Sequence, residues 1–233
     1  SNQASGYIST LSGGFYNAAS GSFFTVGGGG NNTASDLGST VAGGQSNGAT
    51  GSRSTVGGGL SNTAAGDYSF VAGRNANDSS NNNSFVWGGA AGARTSAGVD
   101  TFNVWSAGGI YLNGVVQHSS DRNLKEGFTA IDAEDVLSKV LDIPITTWRF
   151  KSEDDSVTHI GPVAQDFMGS FGYGSSDKHI TSTDADGVAL AAIQGLNQKL
   201  AQELAEKQTE IDSLRQQFAS LEQRLLAMEA SMN

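Results

Sequence analysis

Apolar positions in the first hundred residues follow neither the three-and-four spacing of a helix nor the long alternation of an extended strand; they recur every fifteen residues. Leu11, Val26, Val41, Val56, Val71 and Val86 form one column, with Gly13, Gly28, Gly43, Gly58, Gly73 and Gly88 two places on, and Asn17, Asn32, Asn47, Asn62 and Asn77 in a third. A fixed short period is the signature of stacked supersecondary units that cannot fold singly. Each unit holds a short strand such as "STV" or "SFV", a glycine turn and a polar "SNTA" segment, which predicts a parallel β-solenoid or β-roll over residues 1–97. Glycine is expected to supply the positive φ of the turns, and asparagine to tolerate left-handed backbone there. One aliphatic residue per unit makes a thin coil, so packing of identical coils around a threefold axis is expected to bury the valine and alanine columns.

The pattern changes twice further on. Residues 98–119 alternate apolar and polar side chains through Phe102, Val104, Ile110, Leu112 and Val115 with "GG" and "NG" between, predicting a β connector of hairpin-like strands, with Trp87 and Trp105 packed at that end. Residues 188–233 follow a heptad, with Ile193, Leu200, Leu214, Leu221 and Met228 in one column and Leu190, Leu204, Ile211, Phe218, Leu225 and Met232 in the other. Lys207 and Asn197 interrupt these columns, as polar residues do where register or partner number is set. A helix of this length, rich in Gln, Glu, Lys and Arg, predicts a coiled coil, and the solenoid before it favours three strands. Between them, residues 120–187 read as a small α/β segment. Asp132 can cap a helix over "AEDVLSKVL" with Val136, Leu137, Val140 and Leu141 on one face; "ITTWRF" reads as a strand, and "HIGPVAQDF" leads into another short helix. The fold class is therefore mixed: β-roll repeats, a small α/β domain and a trimeric coiled coil.

Charge sharpens the division. Only Asp36, Arg53, Asp67, Arg74, Asp78, Arg94 and Asp100 are charged before position 120, while the chain as a whole carries a formal charge of −10. That balance argues against nucleic-acid binding, which depends on Lys and Arg neutralising phosphates. The longest apolar runs are too short to span a bilayer, so no membrane insertion is expected. The lack of cysteine excludes disulfides and thiolate chemistry, and no cofactor or metal is expected. The repeats hold no glutamate, so a glycosidase with paired carboxylates is disfavoured. "GGGGNN" is no phosphate loop, lacking GK[ST] and a following helix.

The repeats resemble the head repeats of trimeric autotransporter adhesins, left-handed parallel β-rolls that commonly run at about fourteen residues. Past the point where the composition changes, "SSDRNLKEGF", "EDVLSKVLDIPITTWRF", "HIGPVAQDF" and "DADGVALAAIQGLNQKL" resemble, in this order and spacing, the peptidase S74 family, the C-terminal intramolecular chaperone domain of phage tailspikes and tail fibres. That resemblance implies a trimeric folding helper that cuts itself off at the serine of an S-D-x-x-L-K motif, between Ser120 and Asp121. Ser120 and Lys125 occupy the motif's dyad. A Ser–Lys pair is an accepted variant of nucleophile and base, and the lysine can act as a base only when neutral, which calls for burial or nearby positive charge. His159 could donate to a developing oxyanion and Gln165 could orient the loop; each is equally a structural hydrogen-bonding residue. The chemistry leaves three routes open: attack by Ser120 on its own carbonyl through a strained four-membered ring, attack on the carbonyl of Ser119 by a five-membered N-to-O shift with a cut one residue earlier, or a water activated at Ser120.

The leading expectation is a trimerisation and folding chaperone of a phage-tail-type fibre, located in the virion and self-cleaving after assembly. The rival is a fragment of a bacterial trimeric surface adhesin whose C-terminal domain stays attached as a cap. In either case the partners are two further copies of the chain, and a host-surface receptor or glycan is a candidate ligand of the repeats.

Overall fold

A computed structural model describes residues 1–89 and 92–232, the side chain of Met232 excepted. Ala90 and Ala91 of the repeat region, and the heptad contribution of Met232, thus lie outside the described residues. The chain divides into two compact units, Ser1–Asn113 and Gly114–Asn233.

The first unit is a parallel β-solenoid. Each coil contributes one short strand to each of two sheets, and the described strands form two parallel sheets of seven. The valine column is a true register column: Leu11 pairs with Val26, Val26 with Val41, Val41 with Val56, Val56 with Val71 and Val71 with Val86. These valines from Val26 to Val86, with Ala19, Ala34, Ala49 and Ala64 from the opposite sheet, are all at 0% exposure within the single chain. The expectation that a threefold axis buries these columns is therefore corrected. The two sheets of one coil are close enough to enclose a valine and an alanine between them, and no second copy is needed to remove them from water.

The asparagines are also placed differently from expectation. They are buried and form a ladder along the solenoid. Asn32 Oδ1 accepts the backbone N–H of Asn47 at 3.0 Å, while its Nδ2 donates to the carbonyls of Gly28 and Gly44 at 2.8 and 2.9 Å. Asn17 and Asn47 repeat the arrangement. A buried carbonyl or N–H left without a partner is costly, and each asparagine serves the N–H of the next asparagine and two glycine carbonyls, the second of which, as at Gly44, also accepts a backbone N–H. Glycine does supply positive φ, at Gly14, Gly29, Gly44, Gly59 and Gly73, and further left-handed corners fall to Ile8, Phe23, Gly38, Arg53, Tyr68 and Asn83 on one edge and to Tyr16, Asn31, Ser46, Ser61 and Asn75 on the other.

The fifteen-residue spacing first slips between the strands Thr55–Leu60 and Phe70–Arg74. Val71 pairs with Val56, but Gly73 pairs with Gly59 and Arg74 with Leu60, a spacing shorter by one residue. From there Ala76 N–H takes the place on the ladder, donating to Asn62 Oδ1 at 3.0 Å, and Asn77 pairs with Thr63 instead. Asn77 thus leaves the asparagine column that the spacing predicts. Asp78 follows in the position of the alanine column, fully buried, where it accepts from the N–H groups of Ala65, Gly66 and Ser80 at 2.9, 2.8 and 3.0 Å and from the Ser69 hydroxyl.

The predicted hairpin-like connector does not form. Phe102–Trp105 is a further parallel strand, paired with Phe85–Gly88, and its register sets Asn103 beside the buried Val86 and turns Phe102 and Val104 to the side of Phe85 and Trp87. Residues 106–120 carry no strand. Trp87 and Trp105 are 45% and 42% exposed, so they lie on the outer surface; the Arg94 guanidinium sits 5.4 Å from the Trp105 ring centroid. Phe70, Phe85 and Phe102 stack along the same sheet, with centroids 5.2 and 4.5 Å apart.

The second unit contains helices α1 (Ala133–Asp142), α2 (Ala164–Phe171) and α3 (Ser182–Met232), with a two-stranded antiparallel hairpin, Thr146–Trp148 against His159–Gly161. Asp132 caps α1 as its sequence position predicts, its Oδ1 accepting from Glu134 N and Asp135 N at 3.0 and 3.1 Å. Thr181 and Asp184 exchange hydrogen bonds of 2.7 and 3.0 Å at the start of α3, a reciprocal capping arrangement. Val136, Leu137, Ile143, Phe167, Val188, Ala191 and Ala192 form the core. Leu141, expected on the buried face of α1, is 72% exposed. α1 and α3 approach so closely that a Cβ on Gly195 would stand 2.1 Å from the Ala133 carbonyl oxygen. α3 therefore has two apolar faces: Val188, Ala191, Ala192 and Gly195 meet the rest of the unit, while the heptad columns from Leu190 and Ile193 onwards remain exposed.

Candidate functional site

The segment that precedes α1 is exposed and mostly irregular, with one ordered feature. Asp121 begins a single 3₁₀ turn, Arg122–Leu124. Its carboxylate Oδ1 accepts both the backbone N–H and the side-chain Nδ2 of Asn123, each at 3.0 Å. Leu124 N–H donates to the Asp121 carbonyl at 3.1 Å and Lys125 N–H to that of Arg122 at 3.2 Å. The Arg122 guanidinium lies 5.2 Å from the Phe128 ring centroid, a cation–π contact that folds the following segment back on the turn.

Across this turn, Lys125 Nζ donates to Ser120 Oγ at 2.7 Å. Two of the residues singled out by sequence are thus in direct contact, and Asp121 stands at the hinge between them. The contact has the form that hydroxyl activation requires, with an amine nitrogen within hydrogen-bond reach of the oxygen whose proton it would take. Both residues are exposed in the single chain.

His159 and Gln165 lie elsewhere in the unit. His159 is on the second strand of the hairpin, its ring 4.9 Å from Trp148 and 5.8 Å from Phe150 by centroids, and its Nε2 bonded to the two carboxylate oxygens of Glu153 at 3.1 and 3.0 Å. Its hydrogen bonds thus run to Glu153 and not to Ser120 or Lys125. Glu153 was not legible as its partner; the five residues 154–158 separate them, and only the hairpin brings them together. The Glu153 carboxyl is held below its ordinary range, first by the Phe150 N–H at 2.9 Å and then by His159, against the opposing effect of partial desolvation. Gln165 is exposed in the first turn of α2, at the edge of a groove of about 580 Å³ walled by Trp148, Phe150, Val163 and Ile180. Among the described residues no group of three or more His, Cys, Asp or Glu is arranged to hold a metal ion. No described helix is long and apolar enough to cross a membrane.

Residues 120–171 match the family model Peptidase_S74, described as chaperone of endosialidase. The match begins at Ser120 and runs through the turn, α1, the hairpin and α2, which supports an S74 chaperone domain in this segment. It supports a chaperone module of the kind carried by tail proteins, in a family linked to autoproteolysis. No curated protein matches the chain.

Proposed function

We propose that this chain is the assembly module of a trimeric, fibrous tail-type protein, and that it releases its own chaperone domain by hydrolysing the Ser120–Asp121 bond. The observation that carries the reading is the 2.7 Å contact between Lys125 Nζ and Ser120 Oγ at the first residues of the family match. In this role a neutral Lys125 takes the proton of Ser120 Oγ. The net reaction consumes one water and leaves a carboxylate on Ser120 and an amine on Asp121. Attack on the Ser120 carbonyl, by its own hydroxyl or by a water activated there, makes Ser120 end one product and Asp121 begin the other; attack on the Ser119 carbonyl would cut one residue earlier, so the product termini tell the routes apart.

The unpartnered heptad supports the trimeric part of the reading. Ile193, Leu200, Leu214, Leu221 and Met228 are 63%, 52%, 55%, 58% and 61% exposed along a single helix, an arrangement that self-association in parallel would cover. Exposure of the dyad in the single chain fits the same scheme. Neighbouring chains gathered by the helices would cover the exposed Ser120 and Lys125. Cleavage then follows assembly. Once the chaperone is gone, the solenoids are held by a kinetic barrier and not by reversible helix association.

A denaturing gel with mass spectrometry tests this. A cut after Ser120 divides the 233 residues into pieces of 120 and 113, and Ser120→Ala should leave the chain whole. A chain that stays intact under all conditions would favour the surface-adhesin alternative, with the domain retained as a cap. Cleavage of Ser120→Ala at the same bond would overturn the dyad.

A further inference from the structure

We propose that Asp121 and Asn123 are positioning residues for self-cleavage, their hydrogen-bonded turn holding Lys125 against Ser120, with Asp121 acting as a hydrogen-bond acceptor and not through its charge. The inference rests on the reading of Ser120 and Lys125 as nucleophile and base.

The geometry requires a device of this kind. Five residues of extended chain span roughly 17 Å, well beyond the reach of one lysine side chain. The observed contact therefore exists only because the chain reverses between the two residues, and the reversal is the turn Arg122–Leu124. No residue of that turn is buried, so packing does not hold it. What holds it is the Asp121 carboxylate, which gathers two donors from Asn123 on one oxygen, together with the two backbone bonds that follow. A lone turn is unfavourable to nucleate, and a side-chain acceptor at its first position shifts the population by about tenfold. The rate of cleavage should scale with the fraction of chains in which the pair is in contact, as any process does that depends on a competent conformer.

The acceptor role separates this proposal from one in which Asp121 moves a proton or sets a field. Asparagine offers an Oδ1 acceptor in the same place and ranks with aspartate as a helix cap. It carries no charge and cannot titrate. On Asn123, serine retains a short side chain with a donor where alanine has none.

The experiment follows pulse-labelled full-length chain made by cell-free translation, chased across a range of pH and resolved on denaturing gels. It compares Asp121→Ala, Asp121→Asn, Asn123→Ala, Asn123→Ser and Ser120→Ala, with native gels reporting assembly. Asp121→Ala should slow cleavage by about tenfold. Asp121→Asn should be the faster of the two Asp121 variants, and Asn123→Ser should recover part of what Asn123→Ala loses. The pH at which the rate is half-maximal should stay where it is in the unaltered chain, because the proton-transferring groups are unchanged. Equal loss in Asp121→Asn and Asp121→Ala, or a moved pH midpoint, would overturn the acceptor role. Unaltered rates in Asp121→Ala and Asn123→Ala would overturn positioning altogether. Cleavage of Ser120→Ala would instead bring down the underlying dyad, so the two failures are distinguishable. Should Asp121→Ala fail to assemble, the comparison of Asn123→Ala with Asn123→Ser decides the matter alone.

Discussion

Replacing Asn47 by alanine would strip the half-buried Gly43 carbonyl and the buried Asn62 N–H of their side-chain partner, while the exposed Gly59 carbonyl keeps the Gln45 N–H. Unsatisfied buried groups of this kind cost about 1–3 kcal/mol each, so a loss of about 2–4 kcal/mol is expected after relaxation. Asn77→Ala is the control: that side chain is half-buried and accepts from Ser79 N–H alone, so its loss should cost below about 1 kcal/mol. Unfolding of the solenoid in denaturant, or its unfolding rate where refolding fails, would order the two variants; equal effects would contradict the slipped register. Glu153 yields a prediction of the opposite kind. Its folded carboxyl titrates below the ordinary 4.5, chiefly because the Phe150 N–H favours the charged form. Its contribution is therefore full above that ordinary value and lost as pH falls through the lower, folded one. Protection of the Phe150 amide against hydrogen exchange should drop in that window, and Glu153→Gln should flatten the dependence.

At the scale of elements, α3 is decided by its two faces. Gly195→Ala would normally favour a helix by about 1 kcal/mol. Here the added Cβ meets the Ala133 carbonyl at 2.1 Å, so α1 has to move and the unit should melt at a lower temperature. A gain in melting temperature would show that α1 does not sit so close. The other face is read by association: Leu214→Asp and Leu221→Asp should reduce the mass found by light scattering, while Gln216→Glu, off the heptad columns, should leave it alone. Loss in the first pair without loss in the third would tie the assembly to the heptad and not to general helix content.

For the whole molecule, the expected consequence of the proposed function is an asymmetry between uncleaved and cleaved forms. Parallel coils depend on contacts between successive turns, and misaligned chains expose strand edges while they search. Helices that hold chains together raise the local concentration and align them. Uncleaved Ser120→Ala protein, heated past its transition and cooled, should therefore recover more trimer on a native gel than the cleaved form does. Equal recovery would leave the C-terminal unit as a cap. Two further copies of the chain, in this view, contribute what the single chain leaves open: cover for the heptad and for the exposed Ser120 and Lys125.

Much of this architecture is local and was legible along the chain. The fifteen-residue valine column, the Asp132 cap and the heptad pattern are each carried by a fixed separation between residues, which backbone geometry turns into a fixed position, whereas Ser120 and Lys125 stood out only through the motif they resemble, and their contact depends on the turn between them. Tertiary structure decided what separation alone leaves ambiguous. The one-residue slip after Val71 moved Asn77 off the ladder and put Asp78 into the core, because two parallel strands can realign across a bulge without changing their sequence pattern. The valines are enclosed by one chain because two sheets meet at alanine, a distance that periodicity does not contain. Pairing of Glu153 with His159, and the choice of which face of α3 meets α1, likewise depend on close approaches between segments distant along the chain, and these exist only once the chain has folded.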